Sequence, residues 1–249
     1  MKYSQLLAGG KPALRYAILL VSIFFGVQAN AQRVQPMVFE IEPIGAKAST
    51  SLRIENTQQN SMTVEIIPTK ITMDEYGRET LTPADDDFLI YPPQTLIEKG
   101  KTQVVRVKYI GDPTITTSQA YRVSVKQLPV DLKHSGHTGV GMVINFNTLV
   151  NVVPKDAESA VSVVDISQGE NEHWNLEIKN AGDRFSRLSK TVWQVSDTSD
   201  SSNTKRIKSL DVGKLTERNL VLPNSVLKMS IPAIEGFKPE TTEIAIVGG

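Results

Sequence analysis
The sequence predicts an all-β protein built from two sandwich domains. Apolar residues recur with period two in short runs that Gly and Pro separate, the mark of antiparallel strands. No stretch carries an i, i+3, i+4, i+7 apolar stripe of helical length. One strand motif, L-x-I-x-N, occurs twice, about 120 residues apart, at Leu52–Asn56 and Leu176–Asn180.

The chain opens on a targeting segment, not a strand. Lys2, Lys11 and Arg15 precede Ala17–Val27, an apolar run well short of the roughly 20 residues a membrane helix needs. Ala29-Asn30-Ala31 then has the small-x-small pattern of a cleavage site, so residues 1–31 read as a removed signal peptide and Gln32 as the mature start. The leader takes three basic and no acidic residues with it. The remaining 218 residues carry 24 Lys+Arg against 27 Asp+Glu, a charge of −3. The expected product is exported and soluble, with no stable membrane insertion.

Strands follow in order. Ser51–Glu55, Met62–Ile66, Gln103–Tyr109 and Tyr121–Lys126 each alternate apolar with polar, as a strand does with one face on a core and one in water. Val140–Val152 is longer, and its even positions are nearly all apolar. Beyond Pro154-Lys155-Asp156, where the β run stops, Ser162–Ile166, Trp174–Lys179, Val192–Val195, Val226–Ile231 and Glu243–Val247 resume the alternation. The two L-x-I-x-N copies lie about 20 to 25 residues into the halves that meet there. The expected division is therefore 32–154 and 155–249, each within the usual domain size. Short strands with Gly/Pro turns suit a sandwich or a barrel.

Composition excludes several chemistries. Balanced charge, 27 basic against 27 acidic, disfavours nucleic acid, which demands a basic surplus. Without cysteine there is no disulfide, no thiolate nucleophile and no Cys-ligated metal. There is no G-x-S-x-G, H-E-x-x-H, P-loop or G-x-G-x-x-G, and Gly136, Gly139 and Gly141 are misordered for a dinucleotide turn. His134 and His137, with distant His173, lack the further ligands of a metal site. Asp85-Asp86-Asp87 lacks the spaced oxygens of a calcium loop and reads as a solvated turn. Trp174 and Trp193 lie in predicted strands and read as core. No enzyme and no cofactor is expected.

Between Phe88 and Pro154 the order of motifs carries a resemblance. Phe88-Leu89-Ile90-Tyr91-Pro92-Pro93 is followed by Leu96, Gly100, Gln103 and Val104-Val105-Arg106-Val107, then by Tyr121-Arg122-Val123 and Leu128-Pro129, a glycine-rich loop and the long strand. This order resembles the amino-terminal domain of the periplasmic chaperones of the chaperone-usher pathway, PapD-like proteins that assemble pili and fimbriae. Asn180-Ala181-Gly182-Asp183 with Phe185-Ser186-Arg187-Leu188 is similar to a stretch in the second domain of the archaic branch of that family.

The resemblance implies a boomerang of two immunoglobulin-like sandwiches in the periplasm, binding pilus or fimbrial subunits and an outer-membrane usher. Such subunits lack a last strand, and the chaperone lends one of its own to the open groove. By the family's geometry the lending residues are Val140, Met142, Ile144 and Phe146, while an ordinary strand covered on both faces would have a similar pattern. Arg106 and Arg122 are the implied inter-domain or cleft residues.

Two family features are absent. The basic residues that grip the subunit's terminal carboxylate align with Phe39 or Glu40 and with Leu149, leaving Lys47, Arg53 or Lys155 as substitutes. A Glu before the Tyr-Arg strand, which would pair with Arg106, is replaced by Ser118. The alternative reading is a secreted structural or adhesive component of a surface fibre. No spare donor extension precedes the first strand, Met37 following Gln32 closely, which disfavours it.

Overall fold
The computed structural model describes residues 32–128 and 143–248. The expected leader, the two histidines at 134 and 137, and Val140 and Met142 lie outside the described residues.

The first half begins with β1 (Arg33–Gln35), β2 (Val38–Ile41), β3 (Ser49–Glu55) and β4 (Met62–Met73). It continues with β5 (Glu79–Pro83), β6 (Phe88–Tyr91), β7 (Gln94–Ile97), β8 (Thr102–Tyr109), β9 (Gln119–Leu128) and β10 (Asn145–Val152). One sheet has the order β1-β3-β8-β6 and the other β2-β10-β9-β4-β5, with β7 also on β4. Among the described residues, all the pairings of this half are antiparallel except β2 with β10. Alternation explains the packing. Leu52 and Ile54 of β3, Val64 and Ile66 of β4, Val105 and Val107 of β8, and Val150 and Val152 of β10 meet in one buried core. At roughly 1.5–3 kcal/mol for each large side chain removed from water, this layer is the main stabiliser of the half.

One end of that core is aromatic. Phe88 meets Tyr109 and Tyr121 edge-on, with ring centroids 5.6 and 4.9 Å apart. Burial is the main reason the Tyr121 phenol titrates far above its ordinary range. Its hydroxyl donates to Asp87 Oδ2 at 3.0 Å. The acidic run is therefore only partly a solvated turn: Asp85 and Asp86 are exposed, whereas Asp87 is half-buried and accepts from the core.

The second half contains β11 (Val161–Gln168), β12 (His173–Asn180), β13 (Ser186–Arg187), β14 (Val192–Asp197) and β15 (Thr204–Ile207). A two-turn helix α1 (Ser209–Leu215) precedes β16 (Leu220–Val221), β17 (Ser225–Pro232) and β18 (Thr242–Val247). Its three-stranded sheets are β11-β12-β17 and β15-β14-β18, beside a separate short β13-β16 ladder. Trp174 and Trp193 are both core residues, 1% and 0% exposed. Helix α1 carries one buried residue, Val212, too few for an apolar stripe in the sequence.

The two halves share a third cluster. Ile71, Ala120, Leu149 and Val153 of the first half pack on Ala157, Phe185 and Leu220 of the second. The hairpin of β4 and β5 also reaches across, where Lys228 N–H of β17 donates to Glu75 O at 2.6 Å. Gly77 makes the turn with φ +70°, and a Cβ there would lie 2.8 Å from Arg218 Cδ.

Candidate functional site
Strand β10 carries the feature most open to a partner. Its residues Leu149–Val152 lie beside Val38–Ile41 of β2. Leu149 N–H donates to Met37 O at 2.9 Å and Val153 N–H to Ile41 O at 2.8 Å. Backbone groups alternate along a strand, so the N–H and C=O of Asn145 and Asn147 point to that same side, beyond the start of β2. No strand among the described residues pairs with them there.

The side chains of this segment divide between two faces. Thr148, Val150 and Val152 face the first core, and Thr148 Oγ1 donates to Val123 O at 2.8 Å. Ile144 and Phe146 continue that face but are only half-buried. Phe146 rests against the core, and Ile144 lines a small void with Met62, Val64 and Val125. Of the four residues expected on the donor face, the structure thus places Ile144 and Phe146 at the open end of the sandwich. Val140 and Met142 fall outside the described residues.

The cleft between the halves is built from different groups than the resemblance implied. Phe39 turns inward, and Glu40 forms an ion pair with Arg184 of the second half. Glu42 pairs with Lys47 at 2.9 Å. Glu40, Glu42, Lys47 and Arg184, with Val153 and Lys155, line a cleft of 380 Å³. Of the candidate substitutes, Lys47 and Lys155 are therefore brought together, whereas Arg53 lies elsewhere, on the outer face of β3.

Arg122 lies opposite Leu149 on the face turned to the second half, where it binds Glu79 of β5 through Nε at 3.0 Å and through Nη2. Arg106 is different. It is exposed on the outer face of the other sheet, beside Ser51 and Tyr91, and donates to Ser49 Oγ at 3.2 Å. Its partner lies within its own half, because alternation along β8 directs positions 105 and 107 to the core and 106 away from it.

The joint falls to a residue that sequence reasoning noted only for what it replaced. Ser118 N–H donates to Asp183 O at 2.7 Å, and Ser118 Oγ accepts from Phe185 N–H at 2.7 Å. Asn180 shapes the loop that meets it. Its Nδ2 donates to Arg184 O at 2.7 Å and Leu222 O at 3.2 Å, while its Oδ1 accepts from Ala160 and Gly182 N–H, both at 3.1 Å. Gly182 is required by close approach, since a Cβ would stand 2.3 Å from Glu158 O.

Comparisons with known proteins agree with this architecture. Residues 41–158 match the family described as pili and flagellar-assembly chaperone, PapD N-terminal domain. No curated protein matches the sequence significantly. Among solved structures, the chain is similar to the class 5 fimbriae chaperone CfaA, with a TM-score of 0.56 and 15% identity over 88% of this chain and 100% of that one. It is also similar to a chain of the CsuC–CsuE chaperone–tip subunit complex of archaic Csu pili from Acinetobacter baumannii. There the TM-score is 0.51 and the identity 16%, over 81% and 90% of the two chains. A chain of the Salmonella enterica SafA pilin–SafB chaperone complex gives 0.54 and 15%, over 83% and 86%. Class 5 and archaic chaperones are thus matched about equally well, and the likeness establishes the fold, two immunoglobulin-like sandwiches. Residues 41–158 thus carry the N-terminal domain of the PapD-like pilus-assembly chaperones, and the chain as a whole shares the fold of the chaperones named above.

Proposed function
We propose that the chain acts in the periplasm, after loss of residues 1–31, as two domains divided at 154/155. There it holds pilus subunits by strand addition and passes them to an outer-membrane usher. The observation that carries this reading is the open backbone edge at Asn145 and Asn147, flanked by half-buried Ile144 and Phe146. An extended partner there gains main-chain hydrogen bonds, and apolar side chains on alternate residues fill its groove. Each large side chain buried contributes roughly 1.5–3 kcal/mol before ordering costs are subtracted. Among the described residues, no helix is long and apolar enough to cross a membrane.

The terminal carboxylate of a subunit has a place in the cleft of Lys47, Lys155 and Arg184. Glu40 and Glu42 already engage two of those cations, so the apolar strand supplies most of the affinity and the charge contact less. A periplasmic pull-down of the tagged mature chain, with mass spectrometry of the eluate, tests the function. The expected eluate holds a small β-rich secreted protein at near one-to-one ratio. A clean monomer from cells shown to express the neighbouring subunits would overturn the reading.

A further inference from the structure
The chain enters the first half as the edge strand β1 and crosses to the opposite sheet at Pro36–Met37. Beside that crossover lies a cleft of 880 Å³, walled by Val34, Met37 and Phe146 and rimmed by Arg33 and Arg53. Phe146 also flanks the open edge of β10, so cleft and edge are continuous. Arg33 stands opposite Glu55, and Arg53 opposite Gln35, across the β1–β3 pair. The two arginines are diagonal neighbours, with backbones about 7–8 Å apart.

Both arginines are exposed, and among the described residues neither has an ion pair or a side-chain hydrogen bond. Even Glu55 is not within ion-pair distance of Arg33. Among the described residues, no acidic side chain lines this cleft, unlike the inter-half cleft, where the glutamates engage two of the cations. Two guanidiniums held side by side repel each other. A carboxylate between them removes the repulsion and accepts paired hydrogen bonds in the geometry that Arg favours.

We propose that this rim selects among subunits: the segment that lies along the β10 edge presents an Asp or Glu side chain to Arg33 and Arg53, with an apolar neighbour against Met37 and Phe146. Acid-bearing subunits are thereby preferred to neutral or basic ones. The inference rests on the strand addition proposed above.

The test uses the subunit that co-elutes with the wild-type chain. Its capture is compared across the wild type, R33E/R53E and R33K/R53K, at about 50 mM and about 500 mM salt, a range over which exposed charge interactions are largely screened. Because both positions are exposed, all three chains should share one unfolding midpoint. The expected result is an approximately tenfold loss for R33E/R53E at low salt, the scale of two exposed ion pairs. The loss should shrink at high salt, and R33K/R53K should stay close to the wild type. Equal capture by all three chains overturns the inference. So does an equal loss in both variants at either salt, which would mean shape and not charge. A wild-type chain that captures no subunit removes the chaperone reading first, and this inference with it.

Discussion
A single hydroxyl illustrates how sparsely the joint between the halves is specified. Ser118 is 5% exposed, and its Oγ is the acceptor for the buried Phe185 N–H. Ser118→Ala would leave that donor without a protein acceptor, and a buried unpaired amide costs about 1–3 kcal/mol. We expect urea unfolding to report a stability loss of that size. No loss would mean that the bond contributes nothing net. Asn56 and Asn180, the two ends of the repeated motif, have parallel roles. Both are wholly buried, and Asn56 Nδ2 donates to Ile97 O at 2.8 Å and Asn60 O at 2.9 Å, knitting its turn as Asn180 does. The repeat is thus the same structural device used once in each half.

Among the elements, β10 has two tasks along its length. From Thr148 onward it is an ordinary core strand, and before it the strand projects past β2 with an open edge. Ile144→Asp separates the tasks. The position is half-exposed, so we expect a stability loss of only about 1 kcal/mol, or a few degrees in midpoint, by thermal unfolding. Subunit capture in the pull-down should nevertheless be abolished, because an unpaired carboxylate would enter an apolar groove. Retained capture would show that the lending residues lie elsewhere.

For the whole molecule, the relation between the halves depends on the apolar cluster around Leu149 and Phe185, on the Ser118 bonds and on the hairpin tip. At the tip, Lys228 Nζ donates to Glu75 Oε2 at 2.7 Å. That bond is the main reason the Glu75 carboxyl lies below its ordinary range and the Lys228 ammonium above its own. A lowered acid pKa contributes stability above the ordinary carboxylate value and loses it as pH falls through the folded value. The raised lysine contributes below its ordinary value and loses it as pH rises through the raised one. The tip should therefore hold from about pH 5 to about pH 10. Comparing urea midpoints of the wild type and Glu75→Gln checks this. A small difference is expected at neutral pH, shrinking as pH falls below the ordinary carboxylate range and as it rises above the ordinary lysine range; a difference independent of pH would refute the ion pair's part.

What the sequence determined by itself follows from local physics. Period-two patterning marked the longer strands, since side chains on a strand alternate whatever the strand packs on. The motif order from Phe88 to Pro154 carried the resemblance to the pilus-assembly chaperones, and the repeated L-x-I-x-N motif that ends in the two buried Asn residues was visible. Short edge pieces such as β1, β2, β15 and β16 were not legible, because two to four residues do not make a period. The tertiary structure alone decided which charges meet. Arg184 and Glu40 are 144 residues apart, and no pattern along the chain announces their pairing. It also decided that Arg106 faces solvent, that Ser118 joins the halves and that Arg33 and Arg53 share one rim. These are facts of which strand lies beside which, and register between distant strands is set by the packing of a shared core.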